Sequence, residues 1–226
     1  MAHSKRFAEL SKLIDPKKSY PLTEAVELIK KTANTKFDAT VELHVKLGVD
    51  PKKGDQQVRG TISLPHGTGK TKRVAAFVTG DKAKDAKEAG ADLIGAEELI
   101  DEIAKTGKVD FDVAVATPDM MPKLAKAAKV LGPRGLMPNP KTETVNSNVK
   151  KMIEELKKGK ISFKNDDTAN LHVTVGKASF DAAKLVDNVN AAIENIQRVK
   201  PASSKGTYLL NVTLTSSMGP GVKVQA

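Results

Sequence analysis

The chain of 226 residues carries 37 lysine and arginine against 27 aspartate and glutamate side chains, a formal net charge of +10, and 39% of its residues are hydrophobic. The length suits one large or two small domains, and the positive surplus indicates an anionic partner such as a phosphate backbone or a membrane surface, although a merely basic protein would share this composition. The chain contains no cysteine, which excludes disulfides and thiolate metal sites, and its four histidines lack zinc-ligand spacing.

Two helices are predicted to precede the first strand. Leu10 and Ile14 mark the first helix, and the segment LTEAVELIKK, with Thr23 as its N-cap, marks the second. Residues 37–49 then alternate apolar and polar side chains, which predicts a half-buried strand, and residues 58–64 repeat the alternation. The intervening DPKKGDQQ predicts a hairpin between these two strands.

The middle of the chain has a different pattern. RVAAFV and DVAVA are continuous apolar runs, typical of strands covered on both faces, and the short strand ADLIG separates two helices rich in alanine, lysine and glutamate. A third helix, MPKLAKAAKVLG, follows DVAVA, and this β-α order predicts a parallel sheet with right-handed crossovers. The proline- and glycine-rich loop LGPRGLMPNPK at 131–141 comes next, followed by a helix at about 146–158.

The alternating pattern returns after Gly159, with the strands KISFKND and NLHVTVGK, a long helix and the final strand TYLLNVTLTSS. We therefore expect an α+β domain formed by residues 1–66 and 160–226, into which an α/β three-layer domain of Rossmann-like type, with a parallel sheet, is inserted at 67–159. The two connections contain glycine and lysine, as expected of a hinge. The split domain has 20 basic against 13 acidic side chains and the insert 17 against 14, so the split domain is the expected polyanion contact.

The segment GTGKT at 67–71 resembles the end of a phosphate-binding loop. The full motif needs a glycine where Leu64 stands and a helix after Lys70, whereas RVAAFV predicts a strand there. The first strand-to-helix turn of the insert also lacks the glycine pattern of dinucleotide-binding proteins. We expect no cofactor, no metal and no catalytic site, and a nucleotide-dependent enzyme is the competing hypothesis.

Membrane association is disfavoured on two grounds. No apolar run approaches the roughly 20 residues of a membrane span, and the N-terminal segment lacks the apolar core of a signal peptide. A peripheral membrane protein is the third hypothesis, but the predicted helices offer no wide apolar face framed by lysines. We expect a cytoplasmic protein.

Several side chains are suited to RNA. Phe37 follows Lys36 and could stack on a base or sugar, but it could also begin the buried stripe, which the pattern alone favours. His172 and Thr174 share one polar face, and two threonines of the last strand share another; these form either a groove-lining surface or the ordinary wet side of a sheet. The segment SSMGPG permits close backbone approach or simply ends the strand. Because aromatic residues make up only 4% of the chain, recognition should depend on shape, phosphate and 2′-hydroxyl contacts.

Four segments carry a family resemblance: TKFDATVELHVKLGVDPKKGDQQVRGTISLPHGTGK, LGPRGLMPNPK, GKASF and TSSMGPG. They closely resemble the bacterial family of large-subunit ribosomal protein one, which forms the mobile stalk beside the transfer-RNA exit site, and the resemblance covers essentially the whole chain. It implies a non-enzymatic protein, monomeric when free, that binds the stalk region of large-subunit ribosomal RNA. It also implies that the stalk assists release of deacylated transfer RNA and that the protein represses its own operon by binding messenger RNA.

The resemblance also implies site residues. Together with Thr174 on the polar face, the implied RNA contacts are Glu27, Lys36, Phe37, Thr40, Lys164, His172, Ser217, Met218 and Gly219. Ser217 stands where relatives often have threonine, which keeps the hydroxyl. In the 131–141 loop, we expect Arg134 and Lys141 to contact ribosomal or transfer RNA, and the alternative is that the loop is a rigid strut at the hinge.

Overall fold

The computed structural model describes residues 4–225, apart from the side chain of Asp81. The strands in this part of the chain are β1 Thr40–Leu47, β2 Arg59–Ser63, β3 Val74–Phe77, β4 Leu93–Gly95, β5 Val113–Ala116, β6 Lys160–Lys164, β7 Asn170–Lys177, β8 Leu209–Ser216 and β9 Val222–Val224. The α-helices are α1 Lys5–Ser11, α2 Leu22–Thr32, α3 Gly80–Glu88, α4 Glu97–Thr106, α5 Met121–Leu124, α6 Ala128–Leu131, α7 Val149–Lys157 and α8 Ala182–Arg198.

The chain divides into two compact units. The split unit contains the described residues up to Gly69 and from Ile161 onward, and the central unit is Lys70–Lys160. Helices and sheets are mixed, and one of the sheets is parallel. The predicted mixture of helices and sheets with a parallel sheet is therefore confirmed.

The split unit is built on a four-stranded antiparallel sheet in the order β7-β1-β8-β9. Burial along β1 alternates residue by residue, as the sequence pattern predicts, because successive side chains of a strand point to opposite faces. The buried face packs against α2 and α8, whose Ile29, Val189 and Ile196 are fully buried. The opposite face of this sheet carries the polar side chains of β1.

The hairpin predicted between β1 and β2 is wrong. Strands β7 and β8 pair with the two edges of β1, so neither edge is open to β2. Instead, β2 pairs with β6 in a separate two-stranded sheet, and the Asn165 side chain accepts a hydrogen bond from Val58 N–H at 2.8 Å. The DPKKGDQQ segment therefore leads from one sheet to another and contains a short 3₁₀ turn at Gly54–Gln56.

The central unit contains the parallel sheet, in the order β4-β3-β5. Every residue of β3 is buried, which explains its continuous apolar sequence. Phe77 and Ala75 pack on the side of α4, whereas Val74 and Ala76 pack on the side of α3 and α7. The sheet thus lies between two helical layers.

Two local predictions are corrected, and one strand is additional to the predicted elements. Pro21, not Thr23, is the N-cap of α2, because the chain enters the helix at Leu22 and no side chain caps it. The segment MPKLAKAAKVLG is not one helix: α5 and α6 are single turns separated by a 3₁₀ turn at Ala125–Ala127. The short strand β9, which follows the SSMGPG segment, was not predicted.

Candidate nucleic-acid interface

The polar face of the four-stranded sheet is an ordered array of side chains. Strand register places His44 opposite both His172 on β7 and Thr213 on β8, and Thr213 opposite Lys223 on β9. Residues directly opposite one another share a face, so these four side chains form one row across all four strands. Adjacent strands are about 4.8 Å apart, and the row therefore spans roughly 14 Å.

A histidine pair lies at the start of this row. The Nδ1 atoms of His44 and His172 are 2.7 Å apart, and the rings meet edge to face. Burial, and next the positive charge of a protonated His172, lower the pKa of His44, while Glu42 acts in the opposite direction. The lowered pKa favours the neutral imidazole of His44.

A second row contains hydroxyls. Glu42 lies opposite Thr174 on one side and Thr215 on the other, and His44 Nε2 is 2.8 Å from the hydroxyl of Thr215. His172 and Thr174 on β7 therefore share one face of the sheet with Thr213 and Thr215 on β8. The two pairs are not neighbours, because β1 lies between their strands. Hydroxyls and imidazoles of this kind can donate to phosphate oxygens, and they can both donate to and accept from ribose hydroxyls.

Phe37 and Met218 are two of the most exposed large apolar side chains in the described chain, at 55% and 69%. The sequence pattern alone favours Phe37 as the first residue of the buried stripe, and that interpretation is wrong. The strand begins at Thr40, and Ala39 before it is buried, whereas Phe37 lies outside the strand. Asp38 Oδ1 and Oδ2 accept from the backbone N–H and hydroxyl of Ser179 at 3.1 and 2.9 Å. The aromatic ring is therefore available for stacking.

Thr40 and Ser217 bring these two apolar residues to the same end of the sheet. Ser217 N–H donates to the Thr40 carbonyl at 2.9 Å, and Thr40 N–H donates to the Ser217 hydroxyl at 3.2 Å. Lys177 lies opposite Thr40 and donates to its hydroxyl at 3.0 Å. Sequence analysis missed Lys177, since only the pairing of β1 with β7 places it there.

Met218 stands at the third position of a tight turn. Gly219 N–H donates to the Ser216 carbonyl at 2.9 Å, and Met218 has a φ of 63°. A type II turn requires positive φ at its third position, which costs about 1–2 kcal/mol for a residue with a side chain. A Cβ at Gly219 would collide with the hydroxyl of Ser216, which is buried and has no hydrogen-bond partner. A side chain at 219 would therefore require the Ser216 hydroxyl to move.

The remaining predicted contacts are exposed but lie on other elements. Glu27 lies on α2, Lys36 lies in the loop before β1, and Lys164 lies at the end of β6 in the two-stranded sheet. Lys164 is two residues from Asp166, whose carboxylate is 3.7 Å from His172 Nε2. Hydrogen bonds, first from Asn170 N–H, hold the pKa of Asp166 far below its usual range.

The 131–141 loop lies in the central unit and is internally braced. Asn139 N–H donates to the Thr144 hydroxyl at 2.8 Å, and its side-chain oxygen accepts from Lys141 N–H at 2.9 Å. Pro138 is buried, whereas the Arg134 and Lys141 side chains are exposed. The loop therefore presents two cations from a fixed backbone.

Features of other functional classes are missing from the described residues. The segment after Lys70 enters β3 directly, so the helix that a phosphate-binding loop requires is not there. Within residues 4–225, no three histidine, aspartate or glutamate side chains are grouped to hold a metal ion. None of the helices in that range is both long and apolar enough to span a membrane.

Comparison with known proteins gives a consistent result. Residues 29–220 match the ribosomal protein L1p/L10e family. The chain is 55% identical over 222 residues to the large ribosomal subunit protein uL1 of Fervidobacterium nodosum, covering 98% of this chain and 94% of that protein. It is 54% identical to the same protein of Thermosipho melanesiensis, covering 98% and 96%, and 57% identical over 221 residues to that of Saccharopolyspora erythraea, covering 98% and 92%.

Proposed function

The chain belongs to the ribosomal protein L1p/L10e family, and on this premise we propose that it is a constituent of the large ribosomal subunit that binds ribosomal RNA through the polar face of the split unit. The family consists of ribosomal proteins, in agreement with the expected absence of enzymatic activity and with a cytoplasmic, ribosomal location. The resemblance of the sequence motifs to this family is confirmed by the match over residues 29–220.

One observation supports the RNA-binding surface above all others. Two exposed apolar side chains, Phe37 and Met218, flank the hydrogen bonds between Thr40 and Ser217 at the end of an otherwise polar sheet. Single exposed apolar side chains are common, but these two lie at the same end of the sheet beside polar groups, as expected of a contact surface. Next to them, the hydroxyls and imidazoles of the polar face suit the 2′-hydroxyls and phosphates of a shallow RNA groove.

The two parts of the chain have different roles in this proposal. In this proposal residues 1–66 and 160–226 form the RNA-binding domain, and residues 67–159 form an inserted domain that moves about the two glycine-containing connections. The inserted domain belongs to a mobile stalk that assists release of deacylated transfer RNA. Arg134 and Lys141 contact the RNA backbone from the braced 131–141 loop, whose prolines leave few conformations to be frozen on docking.

Repression of translation is the second part of the proposal. A messenger-RNA site that mimics the ribosomal site would use the same polar face, so the two RNAs would exclude each other. Excess free protein, monomeric in solution, then binds the messenger RNA of its own operon. A titration in which a leader messenger RNA displaces a labelled stalk-region fragment tests this, and simultaneous binding of both RNAs would rule out a shared surface.

Crosslinking of the full chain tests the main proposal. A synthetic three-helix fragment of stalk-region ribosomal RNA, substituted with 4-thiouridine, is irradiated with the protein, and the linked peptides are sequenced. We expect links in peptides that contain Phe37 and Met218. Links confined to Lys70–Lys160 would overturn the assignment of the RNA surface to the split unit.

A further inference from the structure

Arg6 in α1 bonds to two segments that are distant in sequence. Its Nη2 donates to the Met218 carbonyl at 2.7 Å, and its Nη1 donates to the Asn34 side-chain oxygen at 3.0 Å. Met218 stands at the third position of the Ser216–Gly219 turn, and Asn34 lies in the loop that carries Phe37. One guanidinium therefore joins the two segments that present the exposed apolar side chains.

The helix that carries Arg6 is itself anchored. The Ser4 hydroxyl caps α1 by accepting from Phe7 N–H at 3.3 Å, and Leu10 is buried. The chain beyond the helix is fastened where Tyr20 OH accepts from Asp15 N–H at 2.9 Å. The Arg6 side chain consequently extends from a fixed base.

The chemistry of arginine fits this task. A guanidinium presents several donors in a rigid planar fork, so it can bind two separate acceptors at once, which the single ammonium of lysine does poorly. The acceptor at Met218 is the carbonyl of a residue held at positive φ, and a charged donor on that carbonyl favours the turn over an extended alternative. Asn34 and Met218 are both exposed, so the bridge joins two segments of the surface.

We propose that Arg6 is a positioning residue, which holds the Phe37 loop and the Met218 turn at a fixed separation before RNA binds. The inference rests on the proposed RNA-binding function and extends it to a residue outside the 29–220 match. Ordering two loops on binding weakens affinity, and a surface that is already ordered avoids that loss. Arg6 acts through Met218 and Asn34, without touching the RNA.

The test compares Arg6→Lys and Arg6→Gln in the full chain, with Lys5→Gln as the matched control. Lys5 is exposed on the same helix, so its change removes one charge from the neighbouring position. We expect both Arg6 variants to bind the synthetic stalk-region RNA about 3–10-fold more weakly, as the ordering of a few side chains implies. The salt dependence of binding and the thermal midpoint should stay at their wild-type values, and Lys5→Gln should bind like the wild type.

A second readout uses the free protein. With ¹³C-labelled methionine methyl groups, the Met218 signal should move toward its random-coil position in both Arg6 variants and stay in place in Lys5→Gln. An unmoved Met218 signal, or wild-type affinity in Arg6→Lys, overturns the proposal. A salt slope reduced by about one in Arg6→Gln alone also overturns it, because that result denotes direct phosphate contact. If the wild type fails to bind RNA, the proposed function falls, but the methyl spectra still decide the role of Arg6.

Discussion

His44 and His172 lie directly opposite each other on β1 and β7, with their Nδ1 atoms 2.7 Å apart. A hydrogen bond between two such nitrogens needs one ring to carry the shared proton and the other to be unprotonated at that atom. The hydrogen bond thus cannot persist when both rings are fully protonated, and the pair lies on the polar face at its β7 edge.

Stability should fall as pH drops below 6.5. Burial, and then His172, lower the pKa of His44 in the folded state, so the unfolded chain binds more protons in this range. The stabilisation is complete above the unfolded pKa of about 6.5 and is lost as pH falls toward the folded pKa. Unfolding free energies measured between pH 7 and 5 should show this slope.

Two variants separate the causes of that slope. His44→Asn should remove the contribution of His44 to the slope. His172→Asn should reduce that contribution without abolishing it, because burial is the larger cause of the lowered pKa of His44. Identical slopes in the wild type and in His44→Asn between pH 6.5 and 5.5 would contradict the assignment.

Phe37→Ala and Met218→Ala should weaken RNA binding and leave the fold intact. Both side chains are more than half exposed, so truncation should change stability by less than about 0.5 kcal/mol. Stacking of a base on an aromatic ring contributes about 1–3 kcal/mol, which predicts roughly a 5- to 100-fold loss for Phe37→Ala. Fluorescence anisotropy with the stalk-region RNA measures the loss, and thermal unfolding checks the fold.

The control for this pair is Leu210→Ala. Leu210 is as exposed as Phe37, at 55%, but it lies near the opposite end of β8, about 20 Å along the strand from Ser216. Its truncation should leave affinity unchanged. Equal losses in all three variants would point to a general apolar effect and against a defined contact.

Gly219→Ala should destabilise the Met218 turn, and a second change should rescue it. An added Cβ collides with the Ser216 hydroxyl, and overpacking of this kind costs about 1–3 kcal/mol. The hydroxyl is buried without a partner, so Ser216→Ala alone should be close to neutral. The double variant Gly219→Ala/Ser216→Ala should regain much of the stability and RNA affinity, and a double variant no better than Gly219→Ala would show that the collision is not the cause.

Much of the fold follows from local patterns, and the site does not. The alternation of β1 and the apolar run of β3 depend on which faces are covered, and both appear in the sequence. Strand partners are a different matter: the loop between β1 and β2 resembles a hairpin, yet β7 and β8, distant in sequence, occupy both edges of β1.

The positions of the site residues likewise depend on contacts between segments that are distant in sequence. Periodicity does not show that the strand starts at Thr40, so the pattern alone places Phe37 in the buried stripe, whereas the side chain is exposed. Lys177 and Arg6 reach the candidate surface only through long-range contacts, with Thr40 and with Met218. Composition and family motifs indicate the kind of partner. Which side chains hold the candidate surface in place can be seen only in the tertiary structure.

Affinity for RNA should fall linearly with salt on logarithmic axes, because cations of the protein displace counterions from phosphates. Lys36→Gln and Lys164→Gln should each reduce the slope by about one, while Phe37→Ala should leave the slope unchanged. Lys150→Gln is the control, since Lys150 lies in the central unit and pairs with Glu88 at 3.3 Å. A slope that none of these lysines alters would remove electrostatic contact from the proposed surface.

Asn188 should prove necessary for the end of β2 to pack correctly within the split unit. This fully buried side chain accepts from His66 N–H at 3.1 Å and donates to the carbonyls of Gly67 and Val175 at 3.0 and 2.8 Å. Asn188→Ala leaves these backbone groups without partners, which predicts a loss of at least about 2 kcal/mol in unfolding free energy. Chemical denaturation measures it.

Asn190→Ala, on the exposed face of the same helix, provides the comparison and should change stability by less than about 0.5 kcal/mol. Hydrogen exchange locates the effect, since faster exchange at His66 N–H is expected in Asn188→Ala alone. The three hydrogen bonds tie the chain that leaves β2 to β7, a strand of the polar face. If Asn188→Ala is as stable as Asn190→Ala and exchange at His66 is unchanged, other contacts hold the segment after β2. The structural role assigned to Asn188 would then be wrong.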